Sequence, residues 1–304
     1  MSTTLPVLAL DIRTDPEIAE QLPTIARAAT AGTLGALTVT DGGLHPVHVA
    51  SALAPITGDV ALLPRADLAW TEPFHLATQL MSLDHTSRGR AGWLLHVDSD
   101  PATPRAVGRE PLDADQLQGE AVEVLEAARR IWDSWTDDAI VRDLPSGRYL
   151  DAGRLQYVDY TGERFFVRGP SITPRSPQGL VPVLVADADR EVVGRRATEL
   201  SDGRALDVAL APDADATTAI GTVREALTGA DSSVPVRLLR LLGLDPLRAD
   251  LGPLLAEATT TLRAERLIAP EPAPGASLRD QLGLPRPAPV LDPSRRADRA
   301  RTAA

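Results

Sequence analysis

The sequence contains no cysteine, no lysine and no asparagine. All 31 of its lysine-or-arginine positions are therefore arginine. Without cysteine the chain can form no disulfide, hold no zinc through thiolates and use no thiol nucleophile. Its formal net charge of −11 lacks the basic excess that nucleic-acid-binding surfaces need. No apolar run reaches the roughly 18 residues of a membrane-spanning helix. The start, MSTTLPVLALDIRTD, lacks the segments of a secretory signal, and a cytoplasmic location is predicted.

Aromatic residues are also scarce, and all of them lie between Trp70 and Phe166. Outside that span the core has to be built from leucine, valine, isoleucine and alanine. The apolar share of 43% and the charged share of 24% are those of an ordinary globular protein. A length of 304 residues is compatible with one large domain.

Short apolar runs alternate with segments of helical periodicity along most of the chain. Strands are predicted at 6–12, 35–40, 59–63, 91–97, 181–186, 206–211 and 234–239. Helices are predicted at 16–31, 46–53, 72–83, 113–134, 190–200 and 215–227. Strands that are apolar throughout suit a parallel sheet covered on both faces, and repeated strand–helix units indicate an α/β fold.

Two α/β architectures compete, a TIM-type (β/α)8 barrel and a doubly wound open sheet. Neither GxGxxG nor GxxxxGK[ST] occurs, which weakens the open-sheet nucleotide binder. The strand at 234–239 can be the seventh or the eighth of a barrel. A pruned barrel, with fewer than eight strands, is therefore a further possibility. We predict one barrel domain over 1–268, with an insertion at 137–180 on its outside or across its mouth. A proline- and arginine-rich extension over 269–304 is expected to wrap the surface.

Four motifs in order resemble the luciferase-like, flavin-dependent monooxygenases, in the branch of nitrilotriacetate monooxygenase component A and dibenzothiophene-sulfone monooxygenase. They are EPFHLATQLMSLDHTSRGRAGW (72–93), IWDSWTDDAIVRD (131–143), FFVRGPSITPRSPQGLVPVLV (165–185) and SLRDQLGLPRP (277–287). The resemblance implies a TIM barrel that binds flavin mononucleotide at the carboxyl ends of its strands. A separate reductase would supply reduced flavin, which reacts with O2 to oxidise a small organic substrate. Some relatives use a deazaflavin instead.

The residues that the resemblance places against the flavin depart from the family pattern. Leu94 stands where the family has an asparagine after GRAGW, and Gln118 stands in place of a tyrosine near the phosphate. The segment 186–190 (ADADR) replaces a Gln-Ala-Gly-x-Ser phosphate loop. There Asp187 would repel a phosphate while Arg190 would attract it, so weak flavin binding is predicted.

Three further residues are candidates for the site. Asp41 matches the acidic residue that the resemblance places under the flavin, and a turn role before Gly42-Gly43 explains it equally well. Trp70 follows the third strand at the ligand-binding end of a barrel, where it can stack on a flat ring or pack on the rim. His96, in the fourth strand, is a candidate catalytic acid or base if it faces the mouth and a core histidine if it faces the helices.

No metal site is predicted, because His45 and His48 lie three residues apart without a carboxylate pattern that would complete one. His75, one turn into the third helix, is interpreted as a structural residue.

The sequence is compatible with two functions. One is a two-component monooxygenase that uses flavin mononucleotide and a separate reductase. The other is a diverged, non-catalytic member that acts as a partner subunit or a weak flavin- or ligand-binding protein. Family members pair through helices beside the barrel, so a homo-oligomer or a heterodimer with a related chain is expected, and neither nucleic acid nor membrane is expected as a partner.

Overall fold

The structure is a computed structural model that describes residues 4–231 and 234–289. Seven parallel strands close into a barrel: β1 (Val7–Arg13), β2 (Ala36–Thr40), β3 (Ala61–Asp67), β4 (Trp93–His96), β9 (Val183–Ala186), β10 (Gly203–Ala209) and β11 (Val236–Leu242). Each pairs with the next in this order, and β11 pairs back with β1. The remaining strands form two short hairpins, β5 (Ile140–Asp143) with β6 (Arg148–Leu150), and β7 (Tyr160–Thr161) with β8 (Phe166–Val167). The α/β barrel is confirmed, and the open sheet is excluded.

Helices surround the barrel and follow the strands. They are α1 (Leu22–Ala31), α2 (Pro46–Leu53), α3 (Pro73–Thr86), α4 (Ala102–Ala106), α5 (Ala114–Trp132), α6 (Arg190–Leu200), α7 (Ala216–Gly229), α8 (Leu251–Ala264) and α9 (Leu278–Gln281). The predicted helix at 16–31 begins as a 3-10 turn over Pro16–Gln21 before α1. No helix in the described ranges is both long and apolar enough to cross a membrane.

The barrel closes with seven strand–helix units instead of eight. Strand β11 pairs directly with β1, Val7 being in register with Leu238, and the helix after it, α8, packs against α1. The strand predicted at 234–239 is therefore the seventh and the one that closes the barrel. Within residues 4–231 and 234–289 there is no eighth barrel strand.

Inside the barrel, the lower layers are apolar. Because side chains alternate along a strand, every second residue points to the barrel axis. A buried cluster of such residues occupies the interior, and the C-terminal segment completes it with Leu278 and Leu282. We call the amino ends of the strands, where these two leucines lie, the floor, and the carboxyl ends the mouth. A glycine is required at position 92, because a Cβ there would lie 2.6 Å from Leu278 and 2.9 Å from Leu63.

The insertion lies on the outside of the barrel along α3 and α5. Trp135 donates its indole N–H to the carbonyl of Ser171, and the backbone N–H of Glu163 donates to the Glu123 carboxylate of α5. Near the floor, the buried Arg175 pairs with Asp133 at 2.9 Å and donates to the carbonyl of Pro287. The insertion and the chain up to residue 289 are thus joined to each other. Residues 290–304 of the predicted extension lie outside the described residues.

Candidate functional site

The top layer of the barrel interior is polar. The inward-facing positions nearest the carboxyl ends are Asp11, Thr38, Thr40, Arg65, Asp67, His96, Asp207 and Arg240. They lie two or four residues beyond the apolar layer on the same strands, so strand alternation alone brings them to one end. In a TIM-type barrel this is the end at which ligands bind.

Arg240 of β11 holds one side of the mouth together. Its guanidinium lies 2.9 Å from Asp11 and 2.8 Å from Asp207, the carboxylates of the strands on either side. Thr38 and Thr40 donate their hydroxyls to Asp11 at 2.6 and 2.9 Å. Arg240 exposes only 3% of its side chain, so each charge depends on its partners. This side of the mouth is a closed, self-satisfied network.

His96 faces the other side of the mouth and is held by a carboxylate. Its Nδ1 lies 2.8 Å from Asp189, and Arg65 makes two hydrogen bonds of 2.6 Å to the same carboxylate. Burial raises the pKa of Asp189, but the hydrogen bonds from His96 and Arg65 outweigh it and leave the pKa below its ordinary value. An ionised carboxylate only accepts hydrogen bonds, so Nδ1 carries the proton. The basic nitrogen, Nε2, is therefore the one left for the mouth.

Asp67, which is in register with His96 on the neighbouring strand, holds the loop that follows β3. Its carboxylate accepts the backbone N–H groups of Trp70 and Asp98 at 2.8 and 2.9 Å. Burial raises the pKa of Asp67 above its ordinary value, although these hydrogen bonds and the nearby His96 oppose the rise. Trp70 in turn donates its indole N–H to the carbonyl of Asp98 at 2.7 Å. The indole is thereby held at the rim, beside the mouth.

The remaining candidates are scattered. Asp41 is exposed and accepts the N–H of Gly43 at 2.7 Å, which is the turn geometry expected of an Asp before two glycines. Leu94 is fully buried within the apolar layer of the barrel, two positions below His96 on β4. Gln118, on α5, donates to the carbonyl of Glu191 at 3.1 Å and fills the space beside Gly194. Thus His96 and Trp70 lie at the mouth and its rim, whereas Leu94 and Gln118 have packing roles in this structure.

The end of β9, where the resemblance places the flavin phosphate, is negatively charged. A 3-10 turn over Asp187–Asp189 leads into α6, and the first turn of that helix also carries Glu191. Arg190 does begin the helix, but its guanidinium lies 4.0 Å from Asp187 and 3.7 Å from Asp231. Arg204 is tied to Asp187 at 2.5 Å.

A phosphate dianion at this turn would face carboxylates whose neighbouring arginines are already paired, and like charges repel at such range. The backbone offers little in exchange, since the N–H of Ala188 donates to Asp207 and that of Arg190 to the carbonyl of Asp187. The residues present therefore do not fit a tightly held flavin mononucleotide.

Three other histidines, His45, His48 and His75, are not among the residues of the mouth. The rings of His45 and His48 lie with centroids 4.8 Å apart, and burial lowers the pKa of His45. His75 is exposed on α3, where its backbone N–H donates to Glu72, the capping residue of that helix. In the part of the chain that the structure describes, no group of three or more His, Asp or Glu side chains could hold a metal ion.

The sequence interpretation missed the residues that build the mouth, Asp11, Arg65, Asp207 and Arg240. A signal for them exists, because each is a charged residue inside a short apolar run: LALDI, LLPRA, LDVAL and LLRLL. Charged residues are rarely buried without a partner, so opposite charges on neighbouring strands of a barrel predict ion pairs.

Comparison with known proteins agrees with this geometry. The model of the luciferase-like monooxygenase family matches residues 2–241. N-acetyl-S-(2-succino)cysteine monooxygenase of Bacillus subtilis is 36% identical over 163 residues, which are 53% of this chain and 34% of that protein. Dibenzothiophene-sulfone monooxygenase of Rhodococcus erythropolis is 35% identical over 144 residues, 47% of this chain and 32% of that protein. The chain spans about a third of the length of the first curated relatives it matches.

Solved structures show the same fold at low sequence identity. A riboflavin lyase structure, with modified flavin mononucleotide and riboflavin, superposes with a TM-score of 0.71 at 17% identity and covers 94% of this chain and 97% of that one. The structure of a long-chain alkane monooxygenase gives a TM-score of 0.70 at 15% identity, with 93% and 96% covered. With the family model matching well over half of its length, this chain belongs to the luciferase-like monooxygenase family.

Proposed function

We propose that this chain is an oxidoreductase that oxidises a small organic molecule with O2 and uses reduced flavin mononucleotide as a diffusing substrate delivered by a separate reductase. The family match over residues 2–241 and the monooxygenases among its relatives support the reaction class. One relative of 33% identity, nitrilotriacetate monooxygenase component A of Aminobacter aminovorans, is by its name one component of several. The acidic turn after β9 supports a flavin that binds weakly and leaves.

The observation that carries the proposal is His96, held by Asp189 at the mouth. With Nδ1 protonated and bonded to the carboxylate, Nε2 can take or give a proton at the substrate. Asp189 orients the ring, and Arg65 fixes Asp189 in turn. A histidine that exposes 19% of its side chain at this end can reach a ligand while its orientation is fixed. His96 is the proposed acid or base.

Anaerobic titration with reduced flavin mononucleotide, followed by visible absorbance, tests the flavin half of the proposal. We expect saturable binding with a dissociation constant of the order of tens of micromolar, about −7 kcal/mol. Absence of saturation at about 1 mM would overturn it. For the acid–base half, His96→Gln should lower turnover by about 10²–10⁴-fold while reduced flavin still binds. Unchanged turnover would remove His96 from the chemistry.

A second function is favoured by the closed Arg240 network, which fills one side of the mouth with paired charges. In that case the chain keeps the barrel, binds no flavin and acts as the partner of a related chain or as a binding protein. The flavin titration separates the two functions. Light scattering of the chain, alone and mixed with a related chain, then shows whether it pairs.

A further inference from the structure

A cleft of about 330 Å3 lies beside the mouth, on the outer side of the Trp70 loop. Four separate segments form its walls: the loop after β3, the start of α3, the stretch before and into α5, and the insertion. The residues that matter for the argument are Trp70, Pro73, Arg109, Leu112, Glu120 and Phe165. A volume of this size is at the lower end of the range for small-molecule sites. The cleft thus has room for a ligand of one or two rings.

Two flat side chains on the wall are held in place before any ligand arrives. Trp70 is tied by its indole N–H to Asp98, as described above. Phe165 stacks on Tyr160 with ring centroids 5.6 Å apart and an angle of 24° between the rings. Pro73 and Leu112 supply further apolar surface. Fixed aromatic walls favour a flat apolar ligand, because little side-chain entropy is lost when it binds.

The polar groups of the cleft favour a ligand without net charge. Arg109 and Arg164 are balanced by Glu110 and Glu120 on the same wall. Glu120 is only 3% exposed, and the hydrogen bond that its carboxylate accepts from Arg164 is long at 3.5 Å. Burial raises the pKa of Glu120 above its ordinary value. With this single long hydrogen bond, the carboxyl oxygens of Glu120 keep unused acceptor capacity beside the apolar part of the wall.

We propose that this cleft binds a neutral aromatic molecule of one or two rings whose N–H or O–H donates a hydrogen bond to the Glu120 carboxyl. The Trp70 loop separates the cleft from Asp67 and His96. The cleft is therefore a binding site separate from the mouth, and the binding proposed for it does not depend on the proposed function.

Calorimetric titration at pH 7 without flavin tests the binding, with indole as the probe that has a donor and naphthalene as the flat probe without one. We expect sub-millimolar binding of indole. Glu120→Leu should weaken indole at least tenfold and change naphthalene binding by less than twofold, because only indole donates to the carboxyl. Tryptamine and indole-3-acetate should bind more weakly than indole, since each brings an unbalanced charge. Failure of indole to bind, or equal losses for both probes with Glu120→Leu, would overturn the proposal.

Neighbouring phenylalanines provide a matched control for the aromatic wall. Phe165→Leu should weaken both probes, whereas Phe166→Leu should weaken neither, because Phe166 is 72% exposed and lies away from the cleft. Equal effects of the two variants would contradict the assignment. If indole binds with this pattern while reduced flavin does not bind at about 1 mM, the binding proposed for the cleft is supported and the proposed oxidoreductase function is contradicted.

Discussion

The floor and the mouth of this barrel are both held together by buried side chains, but by different chemistry. At the floor, Leu278 and Leu282 from the C-terminal segment complete the apolar interior. At the mouth, Arg240 bridges Asp11 and Asp207, and Arg65 and His96 share Asp189. When apolar atoms are removed from a core, the free energy of unfolding falls in proportion to the cavity that is left. When a buried ion pair loses one partner, an uncompensated buried charge remains. The two ends should therefore respond differently to substitution.

The positions that match the family pattern and the positions that depart from it also lie at different ends of the barrel. The GRAGW, RSPQG and LRDQLGLPRP segments meet near the floor, where Gln178 bonds to Asp84 at 2.6 Å and accepts the N–H of Arg279. The positions that depart from the family pattern lie mainly toward the mouth, around β9 and α5. In a barrel the floor serves stability and the mouth serves chemistry. The resemblance is therefore strongest as evidence for the fold and weaker as evidence for flavin binding.

The largest expected effect is at the mouth. Arg240→Met should lower the free energy of unfolding by about 3–5 kcal/mol, because Asp11 and Asp207 are left buried without a cation. The triple variant Arg240→Met, Asp11→Asn, Asp207→Asn should recover part of the loss, since it removes all three charges. Denaturant unfolding measures both. A triple variant less stable than Arg240→Met alone would contradict this account of the mouth.

At the floor, Leu278→Ala should cost about 2–5 kcal/mol, because a fully buried leucine is replaced by a cavity. Leu144→Ala is the matched control: this leucine is 93% exposed, and the change should stay within about 0.5 kcal/mol. Chemical denaturation of both variants gives the comparison. A loss at Leu278 no greater than at Leu144 would show that the C-terminal segment does not seal the barrel.

The Asp189 carboxylate should make the stability of the mouth sensitive to acid. Its pKa lies below 3.8 in the folded chain, so its contribution to stability is present above pH 3.8 and is lost as the pH falls below that value. Asp189→Asn should therefore cost about 1–3 kcal/mol at pH 6 and progressively less toward pH 3. Urea unfolding across this range checks it. The Leu278→Ala loss should not vary with pH in this way, and a constant loss for Asp189→Asn would contradict the assigned pKa direction.

The smallest effect is expected on flavin affinity. Asp187→Asn keeps an oxygen that can accept from Arg204 but removes one negative charge from the turn after β9. We expect flavin mononucleotide to bind about fivefold more tightly, close to 1 kcal/mol, as for one unit-charge contact in a solvated site. Riboflavin, which lacks the phosphate, is the control ligand and should be unaffected. Equal changes for both ligands would place the phosphate elsewhere.

Much of the fold could be predicted from the sequence, for reasons that particular elements show. Apolar runs bounded by turn residues located all seven barrel strands to within a few residues, because burial on both faces requires such runs. The predicted bounds 190–200 agree with those of α6, although the backbone leaves the helical conformation at Gly194, where φ is 80° and ψ is 166°. The sequence does not determine the number of strands, because whether 234–239 closes a seven- or an eight-stranded barrel depends on pairing with Val7–Arg13, far away in the chain.

The candidate site could be predicted only in part. His96 was predicted to be an acid or base if it faced the mouth, and the strand register puts it there, beside Asp67. Its partner Asp189 lies 93 residues further along, and nothing local in the sequence pairs the two. The sequence by itself determined the elements, because periodicity and turn chemistry are local properties. Only the tertiary structure decided which charges meet at the mouth, because ion pairs between strands depend on how the barrel closes.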